Sequence, residues 1–142
     1  MSTIFSKIIA GEIPGRFVWK DDVCAVFATI EPITPGHMLV VPREEIAKFT
    51  DADDATLSHL SVVAKHIGQA VERAFDAPRS ALIIAGFEID HLHLHVLPAW
   101  GDDQLSFANA SPASPQELDA AAEAVRVALR DLGFGAFVPD AS

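Results

Sequence analysis

The run His91-Leu92-His93-Leu94-His95-Val96-Leu97 sets three imidazoles at alternate positions of an apolar stretch. Successive side chains of a strand point to opposite faces, with about 3.3 Å of rise per residue. Alternation therefore puts the histidines on one face and Leu92, Leu94 and Val96 on the other, so that one face packs and the other carries chemistry. Neighbouring rings on that face start roughly 7 Å apart. Two imidazolium charges at that separation repel by about 2.4 kcal/mol at an effective dielectric of 20, which keeps at least one ring neutral near pH 7. A neutral imidazole serves as nucleophile or general base, and a protonated neighbour holds a developing anion. Two other uses stay open on the residues alone. A strand histidine can be an exposed or hydrogen-bonded residue with no catalytic part, and imidazoles on one strand face can hold a metal ion. The nearest further ligand types are Glu88 and Asp90, and the single cysteine is Cys24.

The 142 residues, 50% hydrophobic and 21% charged, fit one domain over 1–142 with a full core. No apolar run reaches the roughly 18 residues of a membrane span, and Met1 to Ala10 lacks a signal-peptide pattern. A cytoplasmic chain with no membrane partner is the expectation. Cys24, inside Val23-Cys24-Ala25-Val26-Phe27, reads as a small buried hydrophobe. Twenty acids against ten bases give a net charge of −10, which repels polyanions and argues against a nucleic-acid partner. A small phosphate ester is still compatible, because a few imidazoles and backbone amides make a local anion site.

The flanking sequence places this run in an α+β domain. Ile4 to Ile9 reads as a short amphipathic helix ended by Gly11 and Pro14, and Phe17–Lys20 and Val23–Ala28 as a hairpin turning at Asp21-Asp22. His37 to Val41 reads as a central strand between the Pro32, Pro35, Gly36 loop and Pro42. Apolar residues at 57, 60, 63, 64, 67, 70, 71, 74 and 75 predict a long helix over Asp53 to Phe75. His59 and His66 on it are read as surface or groove residues without a role. Ala81–Ala85 and Leu92–Leu97 follow as strands around a turn at Gly86–Asp90. Ser114-Pro115-Gln116-Glu117 is a capping box that opens a last helix to Leu132, closed by Gly133. Helices and strands do not alternate as βαβ units, so a mainly antiparallel sheet is expected. The stretch Gly101–Ser114 reads as a mobile loop over the site, and the apolar tail Gly133–Pro139 needs a surface within the chain or across a dimer.

The histidine run resembles the signature of the histidine triad superfamily of nucleotidyl hydrolases and transferases. Thr3-Ile4-Phe5-Ser6-Lys7-Ile8-Ile9-Ala10-Gly11-Glu12-Ile13-Pro14 is similar to the N-terminal block of its Hint branch, and Pro35-Gly36-His37-Met38-Leu39-Val40-Val41-Pro42 to the strand that carries a further active-site histidine. The three blocks, in the same order, span roughly residues 3 to 98. The resemblance implies a five-stranded, mainly antiparallel sheet with a long helix and a C-terminal helix, dimerising through the long helix. It implies attack by His93 on the α-phosphorus of a nucleoside phosphoramidate or related nucleotide, without a cofactor. In the same way it implies that His95 contacts the phosphoryl oxygens and aids departure of the leaving group, that His91 orients His93, and that His37 completes the cluster. Ile4, Phe5, Ile8, Phe27 and Ile30 become a base pocket for an AMP- or GMP-like nucleotide, and Thr29, Gly86 and Glu88 fall at ribose and phosphate positions.

The chain also departs from that pattern. Thr29 stands where several members have a ribose-binding aspartate, which removes a charge-assisted grip. Gly86-Phe87-Glu88-Ile89-Asp90 replaces a Gly-Gln-Ser type turn, and Glu88 is expected to face solvent, the other reading being selection of a cationic leaving group. Thr3, Ser6 and Glu45 occupy positions that in some bacterial members hold two cysteines and a histidine on structural zinc. Ala99-Trp100 follows Pro98 where an arginine is often found; Trp100 covers the site's mouth or caps the sheet. Three other functions are weighed beside phosphoramidate hydrolysis: a non-catalytic nucleotide-binding regulatory dimer, a metal-dependent hydrolase and a dinucleoside polyphosphate hydrolase.

Overall fold

Thr3 opens the first helix, α1 (Ile4–Ile9), by accepting the Ser6 N–H on its hydroxyl. In this computed structural model, which describes residues 2–140, strands β1 (Phe17–Lys20), β2 (Cys24–Ala28) and β3 (Met38–Pro42) follow. The long helix α2 (Asp54–Phe75), strands β4 (Arg79–Ile84) and β5 (Leu94–Ala99) and helix α3 (Pro115–Asp131) complete the element order, with short 3-10 turns in the connections. The five strands form one sheet in the order β1-β2-β3-β5-β4, every neighbouring pair antiparallel. This is the expected α+β architecture.

Local chemistry sets the element ends. Asp53 caps α2 by accepting the Thr56 N–H, and the helix stops at Asp76 in a left-handed conformation. Ser114 and Glu117 form the reciprocal capping box of α3, with Pro115 in the first turn. The β1–β2 turn is built around Asp21. One oxygen of its carboxylate accepts the N–H groups of Val23 and Cys24, both at 2.8 Å. The other accepts from the Trp19 indole at 2.8 Å and from His59 Nε2 at 2.8 Å. Burial alone raises this carboxyl's pKa, but the donors from Trp19, Cys24, His59 and Val23 outweigh it and hold it at about 2. His59 thus ties α2 to the hairpin, a role its helical position did not disclose.

The two sheet faces bury different residues. Val26, Met38, Val40, Leu94 and Val96 pack with Leu60, Val63, Ile67 and Val71 of α2 and Val125 and Leu129 of α3 in the main core. On the other face Phe27, Leu39 and Val41 pack with Phe5 of α1. His95 belongs to that second face, since it pairs with Leu39 of β3, which in turn pairs with Phe27. The division predicted from alternation therefore holds. The start of β5 differs: the ladder begins at Leu94, because the Leu92 N–H donates to Ile46 O at 2.6 Å and draws the chain toward the segment after β3. The strand then runs on through Pro98 to Ala99, and its edge partner β4 begins at Arg79 and ends at Ile84.

The apolar tail finds its surface within the chain. Phe134 and Val138 pack against the main core, and the Phe137 ring stacks on Trp19 at 4.6 Å. His66 lies against Phe134 at 4.2 Å and stacks on Trp19 at 6.1 Å, so it is part of this aromatic pin. The proline loop before β3 closes tightly on α2. Gly36 has φ of +95°, and a Cβ there would lie 2.4 Å from Phe75 Cε2, so both backbone and space call for glycine.

Candidate active site

Three of the four clustered histidines bond to a backbone group whose donor or acceptor role is unambiguous, and the fourth, His95, follows from its bond to His37. His91 is fully buried. Its Nε2 lies 2.7 Å from the Pro42 carbonyl, which only accepts, so that nitrogen carries the proton. In the neutral ring Nδ1 is then a lone pair, and it accepts from the Thr3 hydroxyl at 2.6 Å. His93 donates from Nδ1 to the His91 carbonyl at 2.7 Å. Its Nε2 is left with a free lone pair and takes no partner among the described residues.

A second chain of bonds sets His37 and His95. The Ile33 N–H donates to His37 Nδ1 at 3.0 Å, which leaves the His37 proton on Nε2. That proton is directed at His95 Nδ1, 3.0 Å away. In its neutral form His95 then carries its N–H on Nε2. The result is a lone pair on His93 beside a donor on His95, with the two ring centroids 4.8 Å apart. The rings thus stand closer together than the roughly 7 Å between alternate backbone positions of an ideal strand.

Burial favours the neutral form of His37, His93 and His95. Desolvation first, and the neighbouring rings second, lower His37 to about 3 and His95 to about 4. His93 is also lowered, chiefly by burial; its bond to the His91 carbonyl and the charge of Glu88 act in the opposite direction. The Phe5 ring meets His93 edge-on at 4.9 Å and His91 at 5.8 Å, closing the side toward α1.

The rings open onto a cleft of about 370 Å³. Of the residues proposed for nucleotide contact, Thr29, Gly86 and Glu88 line it together with His37, His93 and His95. Ile4 and Ile30 are exposed, Ile8 is partly buried against the second core, and Phe5 and Phe27 lie inside that core, so these five are not part of the cleft wall. Glu88 is exposed, as expected, yet it borders the cleft.

Five lining residues had not been anticipated, Ala85 and Ala110 among them. Glu31 adds a second carboxylate, Phe87 is 99% exposed at the rim, and Phe107 meets His95 edge-on at 4.9 Å. Phe107 lies in the stretch read as a mobile loop. That stretch folds into two 3-10 turns and is tied down by Ser111 N–H to Pro32 O and Ala113 N–H to Ile30 O. The signal available in the sequence was an aromatic residue within a polar loop next to the triad. Trp100 is half exposed and does not line the cleft.

Two groups bear on metal binding. Asp21, Cys24 and His59 bring ligand atoms within 4.8 Å of one another. The Asp21 carboxylate is already filled by N–H donors, and burial pushes the Cys24 thiol well above its usual range, which describes a structural hub. Thr3, Ser6 and Glu45, the three residues that the resemblance sets where some bacterial members hold zinc, bond to one another. Glu45 Oε1 accepts the Ser6 hydroxyl at 2.6 Å and the Thr3 N–H at 3.1 Å. Two hydroxyls and a carboxylate without a thiolate do not fit a thiolate zinc centre.

The chain matches the HIT domain family over residues 10–101 and belongs to it. An uncharacterized HIT-like protein of Synechocystis is 37% identical over 102 residues, which cover 67% of this chain and 88% of that one. Among solved structures, a Zn-bound histidine triad family protein from Mycobacterium smegmatis superposes with a TM-score of 0.80 at 28% identity, covering 93% of this chain and 96% of that one. A hypothetical histidine triad nucleotide-binding protein from Sulfolobus tokodaii gives 0.80 at 28% identity over 90% and 92% of the two chains.

Proposed function

We propose that the protein hydrolyses nucleoside 5′-phosphoramidates, or related nucleotidyl compounds, at the α-phosphorus through a nucleotidyl-His93 intermediate. The observation that carries this reading is His93 itself: 7% exposed, its Nδ1–H held by the His91 carbonyl, and its Nε2 lone pair at the cleft. That lone pair forms an N–P bond while the bond from phosphorus to the amine breaks. Donation from Nδ1 to a carbonyl supports the positive charge that grows on the ring. His95 Nε2–H is a donor for the phosphoryl oxygens. The amine leaves with a proton delivered through His95, and the water that attacks phosphorus in the second step gives its proton back by the same route, so His95 ends neutral. Water then attacks phosphorus, the N–P bond breaks and the nucleotide departs.

A second copy completes the picture implied by the resemblance. Strand β4 is an open sheet edge, and Leu82 on it and Val62 on α2 are exposed apolar residues. Pairing two such edges extends the sheet and covers both side chains.

The decisive test treats the protein with a chelator, supplies a fluorogenic adenosine 5′-phosphoramidate and runs His93→Ala in parallel. Expected are turnover in the parent, none in the variant, and a nucleotidyl mass adduct on His93 after rapid quenching. Absence of turnover with AMP binding intact by calorimetry overturns the hydrolase reading. It points instead to a non-catalytic nucleotide-binding dimer. Activity that chelation abolishes and a divalent ion restores moves the assignment to a metal hydrolase.

A further inference from the structure

The N-cap of α1 lies outside the cleft, yet Thr3 supplies the side-chain partner of His91 Nδ1, across 88 residues of sequence. His91 is fully buried, so bulk water does not replace that partner. The peptide between His91 and Leu92 is gripped from both sides. Its N–H donates to Ile46 O at 2.6 Å, and its carbonyl accepts His93 Nδ1–H at 2.7 Å. The His91 ring is clamped to the same neighbourhood through Pro42 O at 2.7 Å. Glu45, between Pro42 and Ile46, holds Thr3 N–H and the Ser6 hydroxyl, so the start of α1 and the segment 42–46 close around one peptide unit.

We infer that Thr3 is a positioning residue for His93: its hydroxyl, donating to the nitrogen that the Pro42 carbonyl leaves as an acceptor, locks the His91 ring and peptide, and the His91 carbonyl so held keeps the His93 proton on Nδ1. Without that hydroxyl, His91 Nδ1 becomes a buried acceptor with no donor. The ring then relieves the cost by turning or by changing tautomer, and the peptide that carries the acceptor for His93 loses its reference point. Phe5, two residues along, rests edge-on against His93, so loosening of α1 also removes that wall.

The test compares Thr3→Val, close in shape but without a donor, with Thr3→Ser, which keeps it. The first readout is the imidazole nitrogen spectrum, which reports the His91 and His93 tautomers without any substrate. The second is turnover of the fluorogenic phosphoramidate, which rests on the proposed function. Thr3→Val is expected to convert His93 from one Nδ1–H form to a mixture of tautomers. It should lower kcat about tenfold, the scale of one lost hydrogen bond, with KM changed less than twofold. Thr3→Ser is expected to restore both. A wild-type His93 spectrum in Thr3→Val overturns the inference whether or not the protein turns over substrate. Absence of turnover in the parent, with the tautomer shift present, removes the hydrolase reading and leaves the positioning role standing. If Thr3→Val does not fold, Thr3→Ala, which also removes the hydroxyl but leaves the backbone bond to Glu45, carries the spectral test. A His93 mixture there supports the inference, and an unchanged spectrum overturns it.

Discussion

Lowering the pH from about 7.5 to 5 is expected to destabilise the fold through its buried histidines. His37 is held at about 3 and His95 at about 4, by burial first and by neighbouring rings second; free histidine titrates near 6.5. A depressed folded-state value means that the unfolded chain binds protons the fold refuses. The stabilisation is therefore complete above pH ~6.5 and is lost as the pH falls toward the folded-state values. At pH 5 a ring that stays neutral in the fold forfeits about 2 kcal/mol, from 1.36 kcal/mol per unit over about 1.5 units. Two rings give about 4 kcal/mol, which solvent access to the partly open His95 reduces to about 2–4 kcal/mol. A typical domain has only about 5–15 kcal/mol in total. Asp21 titrates near 2 and contributes nothing in this window. The assay is a series of urea transitions at constant ionic strength, run on the parent and on His37→Gln, whose amide still accepts from Ile33 and donates to His95. The parent should lose its full share between pH 6.5 and 5, and the variant about half of it. A midpoint that stays flat across this range in the parent, with ring resonances titrating near 6.5, refutes the desolvation argument.

Other perturbations read other parts of the molecule. Asp21→Asn keeps the shape but replaces one of two oxygens, each of which takes two N–H donors, with an NH2 group, and should cost about 1–3 kcal/mol in a urea transition; an unchanged midpoint would show that the turn holds without the carboxylate. Phe107→Ala uncovers His95, so its pKa should rise toward the ordinary histidine value, seen as an upward shift of its ring resonance midpoint; no movement would mean that the loop aromatic does not desolvate it. Gly36→Ala combines a left-handed backbone with a side chain driven into Phe75, and a loss of about 2 kcal/mol or more is expected, while a loss under ~0.5 kcal/mol would show that the proline loop yields freely.

The sequence disclosed most clearly the features that depend on side-chain spacing. Apolar residues from 57 to 75 at helical intervals gave α2, the Ser114–Glu117 box gave the start of α3, and alternation in 91–97 gave the two sheet faces. It could not show which imidazole nitrogen carries a proton, because the deciding partners are backbone groups: Ile33 N–H, His91 C=O and Pro42 C=O. Every residue type supplies such groups, so no residue code announces them. The displaced start of β5 has the same origin, since Leu92 N–H bonds to Ile46 instead of the ladder. His59 and His66 looked idle on their helix because their partners, Asp21 and the pair Trp19 and Phe134, come from distant segments. Phe107 was hidden for a related reason: a short 3-10 turn carries no periodicity, and only the fold brings that ring to His95.

The bond between Thr3 and His91 also has a consequence for timing. Its two ends lie 88 residues apart, so α1 leaves the ribosome long before the residue it must hold exists. Closing so long a loop is among the later events of folding, because its entropic cost falls due before the contact can form. On the proposed reading, a full-length chain whose α1 end is not yet in place therefore carries all its histidines but has no prepared nucleophile. If the proposed reading holds, reactivity arrives only with this long-range closure, and fraying at the α1 end is enough to withdraw it while the sheet stays intact.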